Sequence, residues 1–204
     1  MSITSFVADV AAADFVSVDK DGQPLATLMP CTWVQEPTET APDGTLFMHM
    51  ARANKQWESI VDGSRALAIV HGPQAYVSPS NYASKLEDGK VVPTWNYTSV
   101  HLSGTVTVSH DTDYLLEIVS RLTDSHEGAR EKPWKTSDAP DTYMNAQLRG
   151  IVAITLHVDR IEAKEKLSQN RSLADQQGVI ADLTQSAKPG EQEIGALMED
   201  KLPN

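Results

Sequence analysis

Residues 93–109, PTWNYTSVHLSGTVTVS, decide the fold. Val100, Leu102, Gly104, Val106 and Val108 fall on one side of an extended chain, the period of two that marks a long β-strand with one face in a core. On the C-terminal side, Asp111 or Thr112 can cap a helix whose Leu115, Val119 and Leu122 share a face. Asp141 to Leu148 reads as a second short helix ended by Gly150. Ile151 to Ile161 is a strand with Ile151, Ala153, Thr155 and His157 opposite Val152, Ile154, Leu156 and Val158. Both of its faces are rather apolar, as expected inside a sheet. Helix resumes from Ser172.

On the N-terminal side, Ser78 to Lys90 is rich in Ser, Asn and charge and reads as an excursion loop. Arg65 to Val70 and Ala75 to Val77 read as two strands parted at Gly72-Pro73. Asn54 suits the cap of a short helix from Lys55 to Val61, stopped by Gly63. Thr45 to Met50 is a strand after the Pro42-Asp43-Gly44 turn. Phe15 to Val18 and Gln23 to Trp33 flank Asp21-Gly22, a strong hairpin signal. Short strands separated by turns, with helices entering late, predict a mainly antiparallel β protein with inserted helices (α+β), built as a barrel rather than a doubly wound sheet. Neither G-x-G-x-x-G nor a P-loop is present. The expected organisation is one domain over residues 1–183. An acidic helical tail over 184–204 is expected to be loosely attached or to embrace a partner subunit.

Composition narrows the function classes. With 204 residues the chain can bury a real core without disulfides. A single cysteine, Cys31, excludes an intramolecular disulfide and suits a reducing, cytoplasmic setting. The start, MSITSFVADVAAADFVSV, lacks a basic n-region and carries Asp9 and Asp14, unlike a signal peptide. No apolar run approaches a membrane span. A formal net charge of −11 disfavours phosphate backbones, and no basic stripe or helix-turn-helix pattern points to direct DNA reading. Six histidines show no H-E-x-x-H spacing and no Cys/His cluster, so no metal site is expected.

Three stretches could carry chemistry. His49-Met50-Ala51-Arg52-Ala53-Asn54-Lys55-Gln56-Trp57 follows a strand and opens a helix, where free N–H groups, Arg52 and Lys55 suit a phosphate. Trp95-Asn96-Tyr97, leading to His101, combines aromatic faces for a planar ring with an amide able to read a pyrimidine-like edge. Lys166-Leu167-Ser168-Gln169-Asn170-Arg171 packs polar groups at a strand-to-helix junction. By spacing alone each is more often something plainer: a capped turn with solvated cations, aromatic core packing, and a helix cap at Ser168 or Asn170.

Taken together, the words HMARANKQW (49–57), ALAIVHGPQAYVSPSNY (66–82), GKVVPTWNYTSVHLSGTV (89–106), RLTDSHE (121–127), LRGIVAITLHVDRIEAKEKLSQNR (148–171) and ADQQGVIADL (174–183) resemble the PaiB family of FMN-binding negative transcriptional regulators. The resemblance spans about residues 15–183. It implies a split β-barrel of the pyridoxamine-phosphate-oxidase-like kind, a homodimer with FMN near the subunit interface. It also implies site residues. His49, Arg52, Asn54 and Lys55 would meet the phosphate end, with Met50 and Trp57 in the same word. Thr27 and Leu28 would present backbone to the flavin ring. Trp95, Asn96, Tyr97 and His101 would flank the ring or reach across the dimer, and Lys166, Gln169, Asn170 and Arg171 would close the site. Asn81 stands where many relatives have Trp, and the tail after Leu183 matches no family word.

Three functions are compatible with this pattern. One is an FMN-dependent sensor or regulator that represses indirectly, through a metabolite or partner. Another is an FMN-dependent oxidoreductase, of the flavin reductase or pyridoxamine-phosphate-oxidase type, taking a small-molecule ligand or reductant. In that case the flavin carries the electrons and the protein supplies position and electrostatics. The third is a haem-handling split barrel, with His49, His71, His101 or His157 as axial ligand.

Overall fold

A computed structural model describes residues 2–203. After a short helix α1 (Ile3–Val10), strands β1 (Ala12–Val18), β2 (Pro24–Val34), β3 (Thr45–Ala51), β4 (Arg65–Val77), β5 (Thr94–Ser109) and β6 (Ile151–Lys166) form a closed barrel in the order β1-β2-β3-β6-β5-β4. Helices α2 (Thr112–Glu127) and α3 (Asp141–Leu148) lie between β5 and β6. Helices α4 (Leu173–Thr184) and α5 (Pro189–Asp200) follow β6. The pairings of β1 with β2 and β4, of β2 with β3, and of β3 with β6 are all antiparallel.

The β1–β2 hairpin forms where Asp21-Gly22 predicts it. Gly22 takes φ +80°, and the Asp19 carboxylate accepts from the N–H groups of Asp21 and Gln23, both at 2.9 Å. Alternation then fills the barrel. Phe15, Met29, Cys31, Leu46, Met48, Val70, Leu102, Val106, Ile154 and Leu156 are all buried in one core. The break expected at Gly72-Pro73 is absent, and β4 runs unbroken through it. Proline interrupts a strand only where its missing N–H belongs to a ladder bond. The expected helix at 55–61 is instead a 3-10 turn, Lys55–Ser59, capped by Asn54 as predicted. Asp111 caps α2, accepting from Tyr114 N–H at 2.8 Å.

The chain divides into two compact units, residues 1–70 with 100–162, and residues 71–99 with 163–204. The first holds the barrel core and a second cluster in which Leu115, Ile118 and Leu122 of α2 and Leu148 of α3 pack with Ala153 on the outer face of β6. In the second unit, Ala75, Val77, Tyr82, Leu167, Val179, Leu183, Ile194 and Met198 form a core of their own. The tail, expected to be loosely attached or to embrace a partner subunit, packs within its own unit: α5 buries Ile194 and Met198 against α4. Its acidic composition hid two apolar positions four residues apart, one helical turn.

Asp175, at the start of α4, holds the loop expected at 78–90. Its carboxylate accepts from Ser84 N–H and from the Ser84 hydroxyl, each at 2.9 Å, while Asn81 donates to Asp182 at 2.7 Å. The bond from Ser84 N–H is the main cause that keeps the Asp175 carboxyl below its ordinary range, with Arg171 adding a favourable charge. A depressed folded-state value means that the stabilisation is complete above the unfolded-state pKa and lost as pH falls through the folded one. Asp175→Asn is therefore expected to flatten the acid limb of the stability curve below about pH 4. An unaltered limb in acid titrations followed by circular dichroism would remove Asp175 from this role.

Candidate functional site

The first predicted stretch divides according to strand alternation. Gln56, which the sequence did not single out, lies near its C-terminal end and is 5% exposed. Its amide donates to the carbonyls of Leu25 (3.1 Å) and Phe15 (3.3 Å) and to Ser17 Oγ (3.0 Å), while its oxygen accepts from Thr27 Oγ1 at 2.6 Å. Asn54 donates to Thr27 Oγ1 at 2.8 Å and accepts from Gln56 N–H at 3.0 Å. Thr27, Asn54 and Gln56 thus bind the 52–59 segment to the β1–β2 hairpin. The Asn54 amide retains one N–H outside this network, whereas the Thr27 hydroxyl both donates and accepts within it.

Arg52 sits at the edge of this network with its backbone held at both ends. Its N–H donates to Gly150 O at 2.9 Å, and its carbonyl accepts from Trp57 Nε1 at 3.2 Å. The side chain is half-buried, and its guanidinium has no ion-pair partner among the described residues. Lys55 differs: it is exposed and pairs with Glu58 at 2.6 Å, three residues on. The Trp57 ring meets His110 edge-on at 5.2 Å.

Met50 and His49 point to opposite faces of β3. Met50 is 2% exposed inside the barrel, so its side chain is a core group and not a ligand contact. His49 stands outside, opposite Ala153 in the β3–β6 register. There it lines a cavity of about 240 Å³ with Val119, Trp134, Met144, Leu148 and Ile151. Thr123, Thr136 and Gln147 complete the lining, and no lysine or arginine is among these residues. His49 Nδ1 is buried without a hydrogen-bond partner among the described residues. Burial lowers the imidazole pKa, favouring the neutral ring. An uncharged wall of this kind does not suit the phosphate end assigned to His49 by the family pattern. Leu28, on the outer face of β2, is 67% exposed.

In the second unit, β5 alternates likewise. Trp95 is 45% exposed, tilted against Tyr76 at 6.3 Å and bonded through Nε1 to Gln74 at 3.0 Å. Tyr97 is half-buried. Asn96 is wholly buried and cannot read a ligand edge. Its amide donates to Ser168 Oγ at 3.0 Å and Met198 Sδ at 3.3 Å, and its oxygen accepts from the Ser168 hydroxyl at 3.2 Å. Ser168 itself has φ +61°, a left-handed conformation that this pair of bonds holds in place. Of the third stretch, Lys166 donates to Thr94 Oγ1 at 2.6 Å, and Gln169 closes a local turn by accepting from Leu167 N–H and donating to Glu165 O. Asn170 is exposed. The Arg171 guanidinium lies over the Tyr82 ring at 4.4 Å. His101, in the first unit, is half-buried.

Among the remaining reactive groups, Cys31 is buried in the barrel, and desolvation pushes its thiol up to about 12, so no thiolate nucleophile forms there. His157 Nε2 lies 3.1 Å from Thr107 Oγ1. Among the described residues, no group of three His, Cys, Asp or Glu side chains is placed to hold a metal, and no helix is long and apolar enough to cross a membrane.

The six-stranded antiparallel barrel with its helices is the split barrel of flavin- and haem-binding proteins. It is shared with the FAD and haem binding protein from Mycobacterium smegmatis, with a TM-score of 0.56 and 17% identity over 80% of this chain and 69% of that one. The flavocytochrome Anf3 from Azotobacter vinelandii is similar too, with a TM-score of 0.51 and 14% identity over 81% and 67%. These two likenesses concern the fold. Residues 1–160 match the family described as "Putative FMN-binding domain". The chain is 31% identical over 98% of its length, and 91% of the relative's, to "Protease synthase and sporulation protein PAI 2" of Bacillus subtilis. The chain belongs to this FMN-binding-domain family, the PaiB family.

Proposed function

We propose that this is a cytoplasmic FMN-binding protein of the PaiB type, working as a homodimer and repressing transcription indirectly, through flavin or metabolite state. The observation that carries the flavin reading is Arg52, a half-buried guanidinium without an ion-pair partner among the described residues, on a backbone pinned by Gly150 and Trp57. A guanidinium on a pinned backbone, in a chain of net charge −11, suits a terminal phosphate dianion. The spare Asn54 N–H would add a second contact, and the exposed Leu28 offers apolar surface to a ring system. Bound FMN would supply one- or two-electron redox chemistry, while the protein sets its position and electrostatics.

The indirect mode of regulation rests on charge. Direct operator binding is driven by phosphate neutralisation, which a net charge of −11 opposes. Tight, salt-sensitive binding of the purified protein to a defined promoter fragment would overturn that part.

FMN titrations test the cofactor. Arg52→Ala removes a charge-assisted contact of about 1.5–3 kcal/mol, so the Kd is expected to rise roughly ten- to hundredfold. Lys55→Ala, whose cation is exposed and already paired, should change it far less. Equal affinity in wild type and Arg52→Ala would take Arg52 out of the site. Bleaching of bound flavin by NAD(P)H would class the protein with the oxidoreductases instead.

A further inference from the structure

The outward positions of the barrel strands in the first unit are of three kinds. On β5 they are polar, His101, Ser103, Thr105 and Thr107, the ordinary alternation of a sheet with one wet face. On β3 and β6 they are apolar and covered, with Phe47, Ile151 and Ala153 packed with the buried side of α2 and with Leu148 of α3. On β1 and the parts of β2 and β4 beside it they are apolar and uncovered: Val18 is 52% and Leu28 67% exposed. The register lays two rows across this face, Ala26–Val16–Leu67 and Leu28–Asp14–Ile69. Asp14 is the one ionisable side chain in these rows, and it already has an interaction within the chain. Strands about 4.8 Å apart turn such rows into a flat aliphatic patch rather than a groove.

Contiguous exposed apolar surface marks a contact, and charge limits what the contact is. A chain of net charge −11 repels its own copies over much of its surface, and salt screens that repulsion only beyond about 8 Å. Two copies can close only through a surface without like charges, which this face provides. A basic partner would be drawn to acidic surface instead, and a flat face lacks the concavity that encloses a small ligand.

We infer that the outer face of β1, with the flanking rows of β2 and β4, is the surface on which two copies of this chain pack, sheet against sheet about a twofold axis. This surface presupposes the homodimer proposed as part of the function, and places its contact on β1. A twofold contact is self-complementary, so the same rows serve both copies. Facing sheets pack about 10 Å apart with their side chains interdigitated, which suits valine, leucine and isoleucine. The two rows form the apolar core of the contact, and its polar rim lies outside them.

The test uses the full-length protein in sedimentation velocity over a dilution series, with and without saturating FMN. Wild type is compared with Val16→Lys and Ile69→Lys on the face and with Thr105→Lys on the polar face of β5. Lysine lowers the net negative charge of the chain, so dissociation cannot come from added overall repulsion. Each substitution enters a twofold contact twice, and an uncompensated buried charge is expected to raise the dimer Kd about a hundredfold or more. Val16→Lys and Ile69→Lys are therefore expected to be monomeric, and folded by circular dichroism, at concentrations where wild type and Thr105→Lys are dimeric. Wild-type protein mixed from two isotope labellings is expected to show intermolecular NOEs among the methyl groups of Val16, Leu67 and Ile69, a readout that needs no variant. A wild type that stays monomeric throughout overturns the homodimer and this surface together. A dimer that survives both lysines, or one without these NOEs, overturns the surface alone and leaves the homodimer standing.

Discussion

Gly104→Ala is expected to destabilise the protein more than any other single methyl addition in the barrel. An added Cβ would land on the carbonyl oxygen of His157 and lie 3.0 Å from Val158 Cα. The obstacle is backbone of the neighbouring strand β6, not the end of a flexible side chain, so neither side can yield without breaking the ladder. Overpacking of an ordinary core costs about 1–3 kcal/mol. Against rigid backbone a loss of about 3–5 kcal/mol is expected, a fall in Tm of roughly 6–20 °C for a chain of this length. Gly22→Ala supplies the contrast. Gly22 has φ +80° but open space around its Cβ position, so only the conformational cost of about 1 kcal/mol applies. Thermal unfolding of the two variants side by side checks the argument. Equal shifts would mean that β5 and β6 are not in the close approach described.

Gln56→Leu comes second, with an expected loss of about 2–4 kcal/mol. Leucine matches the bulk but satisfies none of the Phe15 carbonyl, the Leu25 carbonyl, Ser17 Oγ and Thr27 Oγ1 that Gln56 serves. Gln56→Glu isolates the chemistry from the shape. At neutral pH it sets a carboxylate beside two carbonyl oxygens, so stability should fall as pH rises through the raised folded pKa of the new carboxyl. A variant indifferent to pH would show that the amide donors are not what holds the hairpin. Because Gln56 fixes the segment that carries Arg52, both variants should also weaken FMN binding, and Gln56→Leu should do so without any change of charge.

The difference between these two residues shows how far the sequence was legible. Gly104 lay in plain view within an alternating run, on the buried side with Leu102 and Val106, because a period of two is a local property of the strand. The turns at Asp21-Gly22 and Pro42-Asp43-Gly44, the caps Asn54 and Asp111, and the limits of α3 were readable for the same reason. Gln56 stood inside a quoted stretch yet carried no signal, since its burial arises only when the 52–59 turn folds against the β1–β2 hairpin, 25 or more residues earlier in the chain. Asn96 was legible as a polar residue between two aromatics, but its partners are Ser168 and Met198, contacts that span 72 and 102 positions. The same distance in sequence explains the tail: Ile194 and Met198 look like scattered apolar residues in an acidic helix until Val179, Leu183 and Tyr82 surround them.

The residues alone therefore determined the antiparallel barrel class, the positions of most turns and caps, the lack of a Rossmann or P-loop motif, and, through long unusual words such as PTWNY and KLSQNR, the family. Each is set by φ/ψ preference, by periodicity or by identity, which are properties of short segments. Tertiary structure decided which predicted site residues still have polar groups to offer a ligand. It turned Met50 and Asn96 into core groups, occupied Thr27 within a hydrogen-bond network, paired Lys55 with its own turn, left Arg52 without an ion partner among the described residues, and set His49 in an uncharged cavity. Those outcomes depend on which side chains from distant strands and helices reach the same few ångströms, and burial and hydrogen-bond satisfaction arise only from that convergence.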